Sequence, residues 1–152
     1  MTNEYDVIVL GAGNAGMAAA GAAREAGLRT LIVEARDAGG VCPNRGCVPK
    51  KVLVAAAQAL DAIARASSHQ IAVGPATLDW PSLVERKETF VDGVPAEFEA
   101  SLERRGIDFA HGTARFVGRN AVCVDGSEYR AERFVVATGS SPRPLPIPGA
   151  EH

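Results

Sequence analysis

A chain of 152 residues that is 47% apolar and 22% charged has the composition of one globular domain with a core of its own. With 16 basic against 18 acidic residues and no basic run, it lacks the electrostatic footprint of a nucleic-acid or membrane-surface binder. Met1 to Leu10 lacks the basic start of a signal peptide, no apolar run is membrane-length, and three cysteines are too few for a disulfide scaffold, so a cytoplasmic protein is expected.

Tyr5 to Leu10 is a nearly continuous apolar run ending at Gly11, the pattern of a parallel strand buried on both faces. Asn14 to Ala26 is rich in small residues and stops at Gly27, which predicts a tightly packed helix. Thr30 to Val33 is a second buried strand, with Glu34 at its end. After Gly39-Gly40, the spacing of Val52, Ala56, Ala59, Leu60 and Ile63 predicts a long helix from about Gly46 to about Arg65, and 67–77 reads as a loop. Leu83, Phe90, Val91, Val94, Phe98 and Leu102 again fall at helical spacing, with Asp79 as N-cap, Gly106 as stop, and Gly93 and Pro95 splitting or kinking the helix. Asp125-Gly126 predicts a hairpin between Ala121 to Val124 and Glu128 to Arg130, and Phe134 to Ala137 is a further buried strand. Four prolines between Ser140 and Gly149 describe an extended connector.

Gly11-Ala12-Gly13-Asn14-Ala15-Gly16 follows a predicted strand and opens a predicted helix, and Glu34 closes the next strand. That is the context of a dinucleotide site: Gly11 for the tight turn, Gly13 for backbone approach to a pyrophosphate, Gly16 for helix–strand packing, and Glu34 for a ribose diol. The fingerprint by itself does not choose between FAD and NAD.

Cys42 and Cys47 lie between Gly39-Gly40 and Lys50-Lys51. On a regular helix their Cα atoms would be ~8.6 Å apart, beyond the ~7 Å reach of a disulfide. Pro43 and Gly46 are expected to break regularity, leaving Cys42 in a non-helical turn and Cys47 at a helix start, close to each other. At that helix start, with Arg45 and Lys50 nearby, the Cys47 thiolate is expected to be stabilised, a redox-active arrangement. A zinc pair and two inert core thiols remain alternatives, although no further ligand completes a zinc set. Cys123 reads as a small apolar residue on an alternating strand; His69, His111 and His152 read as solvated residues in loops or at the terminus.

The glycine fingerprint, Glu34, the run from Gly39 to Lys50 and the later Ala137-Thr138-Gly139 together resemble the FAD-dependent pyridine nucleotide-disulfide oxidoreductases, the group of glutathione reductase, dihydrolipoamide dehydrogenase and mercuric reductase. The resemblance spans almost the whole chain. It implies an α/β, Rossmann-like FAD-binding domain over 1–140, with a central parallel sheet, helices on its faces and a small antiparallel β meander. Residues 141–152 would then be a proline-rich connector to an NAD(P)H domain that is missing here. Electrons would pass from NADH or NADPH through FAD to a Cys42–Cys47 disulfide and on to a small disulfide substrate, glutathione- or lipoamide-like, in a homodimeric parent enzyme. The acid–base pair that relatives take from the partner subunit's last domain is absent from this sequence.

Carried onto matching positions, Cys42 would be the interchange thiol, Cys47 the thiol against the flavin, and Lys50 a positive charge near the flavin N5, a place some relatives give to the position of Lys51. Gly11, Gly13, Asn14, Ala15, Gly16, Gly40 and Val41 would line the cofactor phosphates, Glu34 the adenosine ribose, Ala114 the adenine, and Thr138 and Gly139 the return loop. Val41 stands where a threonine is usual, and Pro43 and Arg45 replace apolar residues. Arg45 would either favour an anionic substrate or be a solvated charge. A mercuric ion or quinone reductase of the same architecture, and an FAD-binding or protein-interaction module without turnover, are the competing readings.

Overall fold

The computed structural model describes residues 3–141 and 143–150. Its strands are β1 (Glu4–Leu10), β2 (Thr30–Glu34), β3 (Asp108–His111), β4 (Ala114–Gly118), β5 (Ala121–Val124) and β6 (Ser127–Val136). They form one sheet in the order β3-β2-β1-β6-β5-β4. The first four positions pair in parallel and the last three antiparallel, with β6 belonging to both sets. The helices are α1 (Asn14–Glu25), α2 (Val41–Arg45), α3 (Cys47–Arg65), α4 (Trp80–Glu88) and α5 (Val94–Arg104), with one 3₁₀ turn at Ala66–His69.

The continuous apolar run of β1 is explained by burial on both faces. Val7 and Val9 join one cluster with Ile32, Ala20, Leu102 and Ile107. Ile8 and Leu10 join a second with Leu31, Val33, Val122, Val124 and Ala131. Alternation along the strands assigns the faces, as the period of two requires. The first face is therefore covered by α1 and α5, and the second by the β4-β5-β6 meander, which curls over the parallel strands. Each fully buried Leu or Ile removes apolar surface worth about 1.5–3 kcal/mol. Long α3 takes no part in these clusters: of its 19 residues only Pro49 is buried, and it packs on α2 and α4.

Several expectations hold in detail. Asp79 caps α4 by accepting from the Ser82 backbone N–H at 3.2 Å. The apolar stretch after it splits into α4 and α5, with a turn over 89–93 between them and Gly93 at the N-cap of α5. Asp125 and Gly126 take φ values of 46° and 87° in the hairpin turn. Two expectations need correction. The separate strands at Glu128 to Arg130 and Phe134 to Ala137 are one continuous β6, because its start pairs with β5 and its end with β1. Cys42 is not in a non-helical turn but in α2, and the break falls at Gly46 (φ −130°, ψ −103°) between two helices. Pro43 does not prevent this, since in the first turn of a helix the missing N–H has no partner to lose. His152 and Pro142 lie outside the described residues.

Candidate functional site

The glycine turn, the end of β2, the start of α2 and the segment after β6 meet at the carboxyl edge of the parallel strands. Here β1 has β2 on one side and β6 on the other, so the strand order runs outward in both directions, the place where open α/β sheets bind ligands. Gly11 has φ +109°, and a Cβ there would sit 2.3 Å from the Ala137 carbonyl oxygen. The Ala137 N–H bonds to the Leu10 carbonyl at 2.8 Å, which brings Thr138 and Gly139, both exposed, to the glycine turn. Gly40 has φ +69°, and a Cβ on it would lie 2.7 Å from the Gly13 Cα. The two backbones therefore touch, and α2 is fastened against the first turn of α1. Asn44 holds the connection by donating its side-chain amide to the Ala38 and Gly40 carbonyls at 3.0 and 2.8 Å.

The N-terminus of α1 has no side-chain cap: Gly13 is the capping residue, and Asn14 and Ala15 are exposed. Its free N–H groups and partial positive charge suit an anionic group. Glu34 lies beside it, its Oε2 accepting from the Ala12 N–H at 2.7 Å and its Oε1 from the Arg36 N–H at 2.8 Å. A carboxylate has about four acceptor positions, so two remain for a diol. A side-chain-free cradle next to an uncapped helix and a fixed acid fits a dinucleotide pyrophosphate and its ribose. Ala114 opens β4, linked to the same edge through Gly112, whose N–H bonds to the Glu34 carbonyl at 2.8 Å.

The thiols stand on different helices. Cys42 is half-buried in α2, and Cys47 is exposed as the first residue of α3. Both are free, and the two influence each other's ionisation. The bond to Cys42 is the largest influence on Cys47 and pushes its thiol above the ordinary value. Residual desolvation and the charge of Cys42 act the same way. The backbone N–H of Cys47 and the Lys50 ammonium pull it down by less. The direction expected for the Cys47 thiol is thus reversed in the dithiol state: the neighbouring sulfur outweighs the backbone N–H and the lysine. Among the described residues no cluster could hold a metal ion, and no helix is long and apolar enough to cross a membrane.

Arg45, expected to meet substrate or solvent, is paired with Asp37. Val41 is 57% exposed at the start of α2. Cys123 is only half-buried on β5. Sequence reasoning missed His111, which is not in a loop but at the end of β3, with Nε2 2.8 Å from the Arg36 carbonyl. Its place at the end of a short alternating run just before Gly112 was the available signal.

Fold and site together define a dinucleotide-binding α/β domain carrying an adjacent thiol pair. The pattern of the pyridine nucleotide-disulphide oxidoreductases matches residues 5–152, and the chain belongs to that family. It is 39% identical over 149 residues to a dihydrolipoyl dehydrogenase of Chlamydia pneumoniae, covering 96% of this chain and 32% of the relative. It is 38% identical to that of Mycoplasma genitalium, covering 97% and 33%, and 30% identical to that of Acholeplasma laidlawii, covering 99% and 45%. The chain thus spans about a third of the length of the first two relatives.

Proposed function

We propose that this chain forms the FAD-binding and dithiol part of an NAD(P)H-linked, homodimeric disulfide oxidoreductase whose substrate is a small dithiol or disulfide of the lipoyl kind. The observation that carries the proposal is the split at Gly46, which sets Cys42 and Cys47 on two helices that meet there, with the Cys42 Cα 3.4 Å from the place of a Cβ on Gly46, the residue next to Cys47. Gly11, Gly13, Asn14, Ala15 and Gly16, with Gly40 and Val41 opposite, would hold the pyrophosphate; Glu34 would hold the ribose, Ala114 the adenine, and Thr138 and Gly139 the return loop. Bound flavin supplies a two-electron carrier between the nicotinamide and the thiols.

The chain's own chemistry is thiol–disulfide exchange. The Cys42 thiolate attacks one sulfur of a substrate disulfide, breaking the S–S bond and releasing one substrate thiolate, which takes a proton. The Cys47 thiolate then attacks Cys42 in the mixed disulfide and releases the second substrate thiol. Two electrons have left the protein, which now holds a Cys42–Cys47 disulfide. The reverse sequence oxidises a substrate dithiol, and relative reduction potentials set the direction. Lys50 would favour the anionic form of Cys47 in either direction. That the relatives are dihydrolipoyl dehydrogenases favours a lipoyl substrate over glutathione.

The test is turnover of the intact protein with lipoamide, glutathione disulfide, mercuric ion and a quinone, each with NADH and NADPH. Lipoamide activity lost in both Cys42→Ser and Cys47→Ser is the expected result. Turnover of quinone or mercuric ion alone, or none with bound flavin, would refute the proposal in favour of the competing readings.

A further inference from the structure

Glu34 and His111 end neighbouring parallel strands and are register partners. Past Glu34 the chain leaves the sheet, and Arg36 is exposed and outside any helix or strand. Yet this residue is held at both of its backbone ends. Its N–H bonds to Glu34 Oε1 at 2.8 Å, and its carbonyl lies 2.8 Å from His111 Nε2. A carbonyl only accepts, so Nε2 carries the hydrogen and donates. With residue 36 fixed, the Glu34 carboxylate is spanned between the Arg36 N–H and the Ala12 N–H of the glycine turn. Without the imidazole, the Arg36 carbonyl loses that anchor, and the N–H that donates to Oε1 is held less firmly.

We propose that His111 is a positioning residue for adenosine binding: by holding the Arg36 carbonyl it keeps Glu34 aimed at the ribose diol. The inference rests on the proposed FAD site. Nothing in the fingerprint itself calls for a histidine here; the geometry at the ends of β2 and β3 does.

The experiment is a titration of the flavin-stripped intact protein with FAD, followed by quenching of flavin fluorescence. One net hydrogen bond to the segment that holds Glu34 corresponds to about a three- to tenfold loss of affinity in His111→Ala. His111→Gln, whose side-chain amide can donate to the same carbonyl, is expected to keep most of it. Because the effect runs through Glu34, adding His111→Ala to Glu34→Ala should weaken binding no further, a non-additivity that a merely structural role would not produce. Unchanged affinity in His111→Ala, or a loss that persists in the Glu34→Ala background, would overturn the inference while leaving the site intact. Failure of the unmutated protein to bind FAD would overturn the site reading itself, and this inference with it.

Discussion

A methyl group added at Gly13 separates folding from cofactor binding. Gly13 has φ −80° and ψ −174°, open to any residue, and the nearest atom to an added Cβ is the Gly40 Cα at 3.9 Å. Gly13→Ala should therefore fold normally. The weaker N-cap and the stiffer unfolded chain nearly cancel, leaving stability within about 1 kcal/mol and the melting temperature within about 4 °C. The methyl nevertheless fills the cradle beside the uncapped end of α1, and one carbon forced into a close contact costs about 1–3 kcal/mol, or about 5- to 150-fold in FAD affinity. Gly16→Ala is the contrast. Its Cβ would lie 1.8 Å from the Gly11 carbonyl oxygen, which no real contact permits, so α1 must leave its seat on β1. A loss of about 3 kcal/mol or more and a drop of about 6–12 °C are expected. Circular-dichroism melts and quenching of flavin fluorescence read the two effects separately. Wild-type FAD affinity in Gly13→Ala, or a melting loss equal to that of Gly16→Ala, would refute the reasoning.

Three further outcomes follow from the titrating groups. Cys42→Ala should lower the Cys47 pKa relative to the reduced parent, because its largest upward influence is gone; the pH dependence of alkylation would show it, and an unchanged or raised midpoint would count against the hydrogen bond. Tyr5 is pushed up to about 12 by burial and by its 2.9 Å bond to Asp108, so the stability it contributes is intact below pH 10 and lost as pH rises toward 12. In Tyr5→Phe that alkaline loss should be smaller in unfolding titrations. The bonds from Ser82 hold Asp79 below the ordinary carboxylate value, so its capping is lost as pH falls through that lowered pKa. Asp79→Ala should fray α4 at neutral pH and remove the acid dependence, measurable by hydrogen exchange of the first turn.

The glycine turn was legible because every feature there is local: a strand of nearly continuous apolar residues, three glycines at fixed offsets and an acid at the next strand end. Helix starts marked by one capping residue, such as Asp79, were legible for the same reason. Pro43 misled because proline signals opposite things in different turns of a helix, and only the position of the break, at Gly46, tells which applies. The continuity of β6 depends on two partners distant in sequence, so no window around Ala131 reveals it. His111 escaped because its significance is a single bond to a carbonyl 75 positions away. Arg45 was ambiguous for want of its partner, Asp37, whose proximity is a product of the bend at Gly39-Gly40.

The double membership of β6 also has a temporal consequence. Its pairing with β1 joins residues near opposite ends of the described chain, as when the Asn3 side chain bonds the Glu128 carbonyl across 125 positions. Translation at about 5–20 residues per second leaves β1 without this neighbour for about 6–25 seconds. Meanwhile Ile8 and Val9, both fully buried in the finished fold, sit on a strand with one open edge and one uncovered face. The domain is thus committed late, and its vulnerable interval lies on the ribosome, before α5 and the meander exist to close the sheet.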